Sequence, residues 1–75
     1  MSEADQTKLR ETFAAIVEQA QAMQAHLSEQ LSAFSPDRYP RTGTRLECLM
    51  EGLGGVEAMA ALAGAHVGDD APVHV

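Results

Sequence analysis

Two apolar ladders separated by one short, proline-punctuated break leave this chain few ways to fold. Leu9, Phe13, Ile16, Ala20, Met23, Leu27 and Phe34 recur at spacings of about three and four, with Gln30 holding one position of the series. That is the period of a helix with one buried face. After Pro36 and Pro40 the pattern restarts as Leu46, Leu49, Leu53, Val56, Ala60, Ala63 and Val67. The spacing predicts an all-α chain, an antiparallel two-helix hairpin of coiled-coil character. Helix one is expected over about 3–34, a turn over 35–43, helix two over about 44–67, and a flexible tail over 68–75.

Local signals agree with this division. Ser2 followed three residues later by Asp5 resembles a capping box, and Glu3 suits the positive end of a helix dipole. No Gly or Pro interrupts residues 3–34, which are rich in Ala, Gln, Glu and Leu. In the break, proline removes an amide donor and restricts the residue before it. Ser35 and Pro36 could cap a single turn there, and Tyr39 is expected to lay its ring against the end of the hairpin. Thr44 followed by Glu47 reads as a second capping box, so helix two is expected to begin around Thr42 to Arg45.

Helix two carries the main local conflict. Glu51-Gly52-Leu53-Gly54-Gly55 places three glycines within four positions, each costing about 1 kcal/mol relative to alanine in a helix. Two readings stay open: a kink or break, or a continuous helix in which Gly52 and Gly55 admit another backbone. The phase of the ladder from Leu46 to Val67 survives the glycines, as a continuous helix requires. Gly68, Asp69, Asp70 and Pro72 end the pattern and favour a frayed tail.

The composition limits what such a hairpin can do. Seventy-five residues make one domain, near the size at which a single core only just offsets conformational entropy, and much of the apolar fraction is alanine. A partner chain is the expected source of additional stability. The lone Cys48 excludes an intrachain disulfide and suits a reducing compartment. No apolar run follows a basic stretch at the N-terminus, and no segment approaches the roughly 20 apolar residues that cross a bilayer. The chain reads as cytoplasmic, with no membrane insertion.

Charge narrows the partners further. The net charge is −6, with five acids and two bases in residues 1–34, one acid and three bases in 35–45, and five acids alone in 46–75. Most of this surface repels a phosphate backbone, so nucleic acid is not expected as a partner. Arg38, Arg41 and Arg45 form the single basic patch; in a turn they are more often solvated or paired with carboxylates, although an acidic partner would fit them.

Chemistry finds little purchase. His26, His66, His74 and Cys48 are the soft metal-ligand candidates, but none forms the closely spaced pair that zinc sites use, and antiparallel helices place His26 and His66 near opposite ends. A nucleophilic serine or Cys48 would need a base and a water-excluding pocket that two helices do not enclose. Glu47 and Glu51 share a helical face at i and i+4, as solvated acids commonly do. Gly52-Leu53-Gly54-Gly55 lacks the preceding strand and following Lys-Ser/Thr of a phosphate loop. The reading is of a non-enzyme with no cofactor, no metal and no small-molecule substrate.

A second stripe on helix two says more. Cys48, Gly52, Gly55, Met59, Leu62 and His66 lie roughly 110° around from the first ladder, at about 100° per residue. It is either the flank of one broad buried stripe or a separate face for a partner, with Met59 an adaptable contact. One neighbouring helix cannot bury a stripe that wide.

Pro36, Tyr39 three residues on, and Leu46-Glu47 opening an apolar helix resemble the small E-type co-chaperones of bacterial type III secretion systems, the YscE, PscE and SsaE group. The Glu51 to Gly55 run is similar to a glycine-containing stretch in the second helix of some members. The resemblance covers mainly residues 34–62; Pro40 and Gly43 depart from the pattern. It implies a cytoplasmic hairpin that pairs with a helical-repeat chaperone, the two together keeping a needle-filament subunit soluble and unpolymerised. Carried onto this chain, it implies partner contacts through Leu53, Val56, Met59 and Leu62, with Gly52 and Gly55 beside them. Phe13, Ile16, Leu27 and Phe34 would then hold the hairpin closed, and the ladders add Met23, Leu46 and Leu49 to the expected hairpin core. The alternative is a self-associating four-helix bundle of two hairpins, a structural or regulatory protein of phage or antitoxin type.

Overall fold

The computed structural model describes residues 1–69 and consists of two helices, α1 (Glu3–Ala33) and α2 (Pro40–Ala65), packed as an antiparallel hairpin. α1 starts where the sequence signals it. The Ser2 hydroxyl accepts from the Asp5 amide at 3.1 Å, and the Ser2 amide donates to Asp5 Oδ2 at 3.4 Å, which satisfies two otherwise orphaned donors. It ends one residue short of expectation, at Ala33, with the Phe34 amide donating to the Gln30 carbonyl.

The turn is shorter than the sequence suggests. A single turn follows Ser35, whose carbonyl accepts from the amides of Arg38 and Tyr39, and α2 then begins at Pro40 rather than near Thr44. The expected Thr44–Glu47 capping box does not form the start of this helix; Tyr39 is its N-cap and makes no side-chain cap bond. The physical reason is that proline breaks a helix only in its interior. At the first position its missing amide is an orphan anyway and its fixed φ is already helical. Tyr39 packs edge-on against Phe34, ring centroids 5.1 Å apart, with the Arg38 guanidinium 5.9 Å from the Tyr39 ring.

Drawing α2 back to Pro40 brings Gly43 against the turn. It is buried, and a Cβ built there would lie 2.6 Å from Pro36 Cα and 2.7 Å from the Ser35 carbonyl carbon. No side chain fits that space. Of the expected tail, Gly68 takes a positive φ of 96° beside Gln6, and residues 70–75 lie outside the described residues.

α2 runs unbroken through Gly52, Gly54 and Gly55, so the continuous reading holds. Nothing lies within 4 Å of a Cβ placed at any of the three. Alanine should therefore fit without strain. We expect Gly52→Ala and Gly55→Ala each to stabilise the isolated hairpin by about 0.5–1 kcal/mol, read as a higher thermal midpoint by circular dichroism. A lower midpoint would mean that α2 bends at these glycines in solution.

The seam between the helices is heptad-like. On α2 the seam positions are Gly43, Leu46, Met50, Leu53, Glu57, Ala60 and Gly64, continued by Val67 just beyond the helix, at alternating spacings of three and four, with Gly54 and Ala63 half-buried at its flanks; on α1 they include Phe13, Val17, Ala20, Gln24, Leu27 and Leu31. Among the described residues the buried hydrophobic ones are two alanines, Ala20 and Ala60. Small residues at the crossing let the helices approach closely, and Gly64 faces Phe13 Cβ across the seam. Mid-seam, Gln24 Nε2 donates to Glu57 Oε1 at 3.5 Å. Near the open end, Arg10 donates from Nη2 to the Val67 carbonyl at 3.3 Å.

Three residues expected in the hairpin core lie outside it. Met23, Phe34 and Leu49 are exposed, as is Val56 of the ladder, while Leu53, expected at a partner contact, is half-buried. The ladder counted apolar residues, whereas the seam admits Gln24 and Glu57 because they satisfy each other; alternate rungs therefore move by one position, from Met23 to Gln24 on α1 and from Leu49 to Met50 and Val56 to Glu57 on α2. Phe13, Ile16, Leu27 and Leu46 do face the opposite helix to the extent of being half-buried.

Candidate partner-binding surface

The hairpin is a slab one helix thick. Its extents are 56 × 24 × 12 Å and its radius of gyration is 17.2 Å, where a compact chain of this length has about 11 Å. Its accessible surface is 5806 Å², against about 4,450 Å² for a compact monomer of 8.0 kDa. The excess has a simple origin. Each helix has one neighbour, so every apolar residue more than about 60° off the seam faces water.

The two broad sides of the slab differ. On one side Phe13 and Ile16 of α1 and Val56, Met59, Ala60 and Ala63 of α2 line an open, almost wholly apolar groove. On the other, a groove runs between Arg10, Ala14 and Val17 of α1 and Ala61 and Gly64 of α2. At 100° per residue, Leu9, Thr12, Gln19 and Met23 fall on the first side, as do Arg41, Arg45, Leu49 and Gly52. The helical glutamates Glu3, Glu11, Glu18, Glu29, Glu47 and Glu51 fall on the second side or the outer edges, and Glu57 lies in the seam against Gln24. Asp5, at the far end, is the one helical carboxylate on the first side. Among the described helical residues the acidity thus lies mostly away from the apolar face.

The large exposed hydrophobics concentrate on this face and its α2 edge. Met59 is 73% exposed, Leu62 62% and Leu49 57%, with Val56 and Met23 also about half open. Scattered surface apolars are ordinary; a row of them at helical spacing makes this face the candidate interaction surface. Of the residues expected at partner contacts, Gly52, Gly55, Val56, Met59 and Leu62 lie on this open surface and Leu53 does not. The second stripe is exposed along its length, Cys48 included. Leu49 and Met23, assigned by the sequence to the core, belong here. The signal that would have placed them is the 3.5-residue repeat of the seam, which leaves Leu49 one position off Met50.

Other candidate chemistry is dispersed. Among the described residues no group of three His, Cys, Asp or Glu side chains converges as a metal site. His66 pairs through Nδ1 with Asp69 Oδ2 at 2.7 Å on the exposed end of α2; His26 stands well along α1, and His74 lies outside the described residues. Glu47 and Glu51 are exposed.

α2 also changes one expectation about membranes. Extended to Pro40 and unbroken, it is long and apolar enough to meet the length-and-composition test for a bilayer span, with a mean hydropathy of 1.2 over its best window and little of it buried. Glu47, Glu51 and Glu57 lie within it, and an acidic residue at mid-bilayer costs about 2.5–3.5 kcal/mol.

Compared with known protein families, curated proteins and solved structures, the chain has no match.

Proposed function

We propose that this chain is a protein-docking hairpin, an adaptor or co-chaperone and not a catalyst, whose apolar side and α2 edge receive a helical surface of another protein. The observation that carries this reading is the exposed row Leu49, Val56, Met59 and Leu62 beside carboxylate-free groove walls. The glycines support it. Gly52 and Gly55 cost helix stability, and nothing in the hairpin occupies the space above them. A close-packed partner backbone would use that space. Spanning a membrane fits less well, since Glu51 and Glu57 would have to be desolvated.

In its finer form, taken from the resemblance in residues 34–62, the partner is a helical-repeat chaperone. The pair holds a type III secretion needle subunit soluble and unpolymerised in the cytoplasm. An amphipathic subunit cannot assemble while its apolar face lies in another groove.

The test is co-expression with the helical-repeat chaperone and needle subunit, followed by pull-down and sedimentation of the subunit. A soluble complex is expected, and Leu62→Asp should weaken it at least about tenfold, because an unpaired carboxylate buried in an apolar contact is costly. Leu62 is mostly exposed in the hairpin, so helicity should hold. Unchanged binding by Leu62→Asp would remove this edge from the interface, and polymerisation of the subunit with or without the hairpin would end the co-chaperone reading.

A further inference from the structure

We infer that, before any other protein binds, the apolar side of the slab is closed by a second copy of this chain, giving an antiparallel four-helix bundle with the two turns at opposite ends. The inference rests on that side being a docking face, and it adds the occupant and the orientation.

Size is the first argument. The face measures 56 by 24 Å, about 1,300 Å² in outline, and a stable interface takes about 800 Å² from each partner. The surface in excess of a compact monomer is of the same order. A layer 12 Å thick becomes a bundle of ordinary proportions when doubled, with the Ile16, Val56 and Met59 walls of each groove meeting those of its partner.

Charge is the second argument. A chain of net charge −6 should resist self-association, but the exposed helical glutamates point away from this side, Glu57 is held in the seam by Gln24, and among the described helical residues only Asp5 remains on it. Two such faces meet with little carboxylate repulsion. The polar groups of the α1 wall, Thr12 and Gln19, are uncharged.

Charge also selects the orientation. A two-fold axis along the helices would gather Arg38, Arg41 and Arg45 of both protomers at the same end of the bundle. A two-fold axis across the helices instead carries Arg41 and Arg45 to the partner's open end, where Asp5 and Asp69 lie. Opposite charges at the rim set register, and like charges there exclude the alternative.

Sedimentation of the purified full chain tests the occupant. A species of twice the 8.0 kDa chain mass is expected at tens of micromolar, by order of magnitude the range of a modest interface. Met59→Asp should raise the dimer dissociation constant at least about tenfold while helicity stays, since Met59 is 73% exposed in the hairpin. Leu62→Asp, on the outer edge, should leave the dimer intact, so failure of heterologous docking and failure of self-association are separable. For orientation, a spin label at Arg38→Cys in a Cys48→Ser background should give a turn-to-turn distance of about 50 Å, twice the roughly 25 Å of helix between residues 39 and 56 at 1.5 Å per residue. A monomer at these concentrations, or a dimer indifferent to Met59→Asp, would overturn the inference. A turn-to-turn distance of about 20 Å or less would overturn its orientation.

Discussion

Gly43→Ala should unfold much of the hairpin or lower its thermal midpoint by about 12–24 °C. A methyl at this position would sit 2.6 Å from Pro36 Cα and 2.7 Å from the Ser35 carbonyl carbon, both backbone atoms that cannot rotate aside. Either the turn opens or the first turn of α2 unwinds. Overpacking commonly costs about 1–3 kcal/mol, and a clash against backbone belongs at the upper end or above it. A chain of this size has about 4–11 kcal/mol in all, so a loss of about 3 kcal/mol is a large share, and at about 4–8 °C per kcal/mol it gives the stated shift. Thermal denaturation followed at 222 nm reads it directly. A midpoint within about 2 °C of wild type would show that the turn does not pack against Gly43 in solution.

Ala20→Leu should cost about 2 kcal/mol and splay the helices near their crossing. Ala20 is 3% exposed, and neither groove between the helices is lined by it. Three extra carbons there have no void to enter, so they push α2 outward and strip contacts from Ala60 and the Gln24–Glu57 pair. Ala22→Leu, two positions along on the exposed side, is the control and should stay within about 0.5 kcal/mol. Chemical denaturation of the three chains side by side decides it. Equal midpoints would mean that the seam is looser than two buried alanines imply.

These two substitutions mark where sequence reading works and where it stops. The helices themselves were legible: period, the Ser2–Asp5 box and the absence of breakers in residues 3–34 place α1 to within a residue. The start of α2 was not, because Pro40 reads equally as a stop or as a first helical residue; only packing of Gly43 on the turn chooses the latter. The glycine run posed the same ambiguity, and the unbroken phase of the ladder proved the better guide.

Which apolar and small residues stay exposed was half legible. Gly52, Gly55, Val56, Met59 and Leu62 were assigned outward and are outward, whereas Leu53, Leu49 and Met23 change sides. A helical wheel ranks residues by polarity, and this seam does not. It places Gln24 and Glu57 inside on the strength of one hydrogen bond and leaves Met23 and Leu49 outside, one position away.

By itself the sequence determined that this chain makes two helices, that they fold back on one another, and that they hold more apolar surface than a pair can bury. Those properties are local or additive: propensity, period and the sum of side chains. Which apolar residues were left over, and that they share one side cleared of glutamates, was decided only when the helices met. Rotation about each helix axis depends on contacts between residues distant in the chain, and a shift of one position turns a side chain by about 100°.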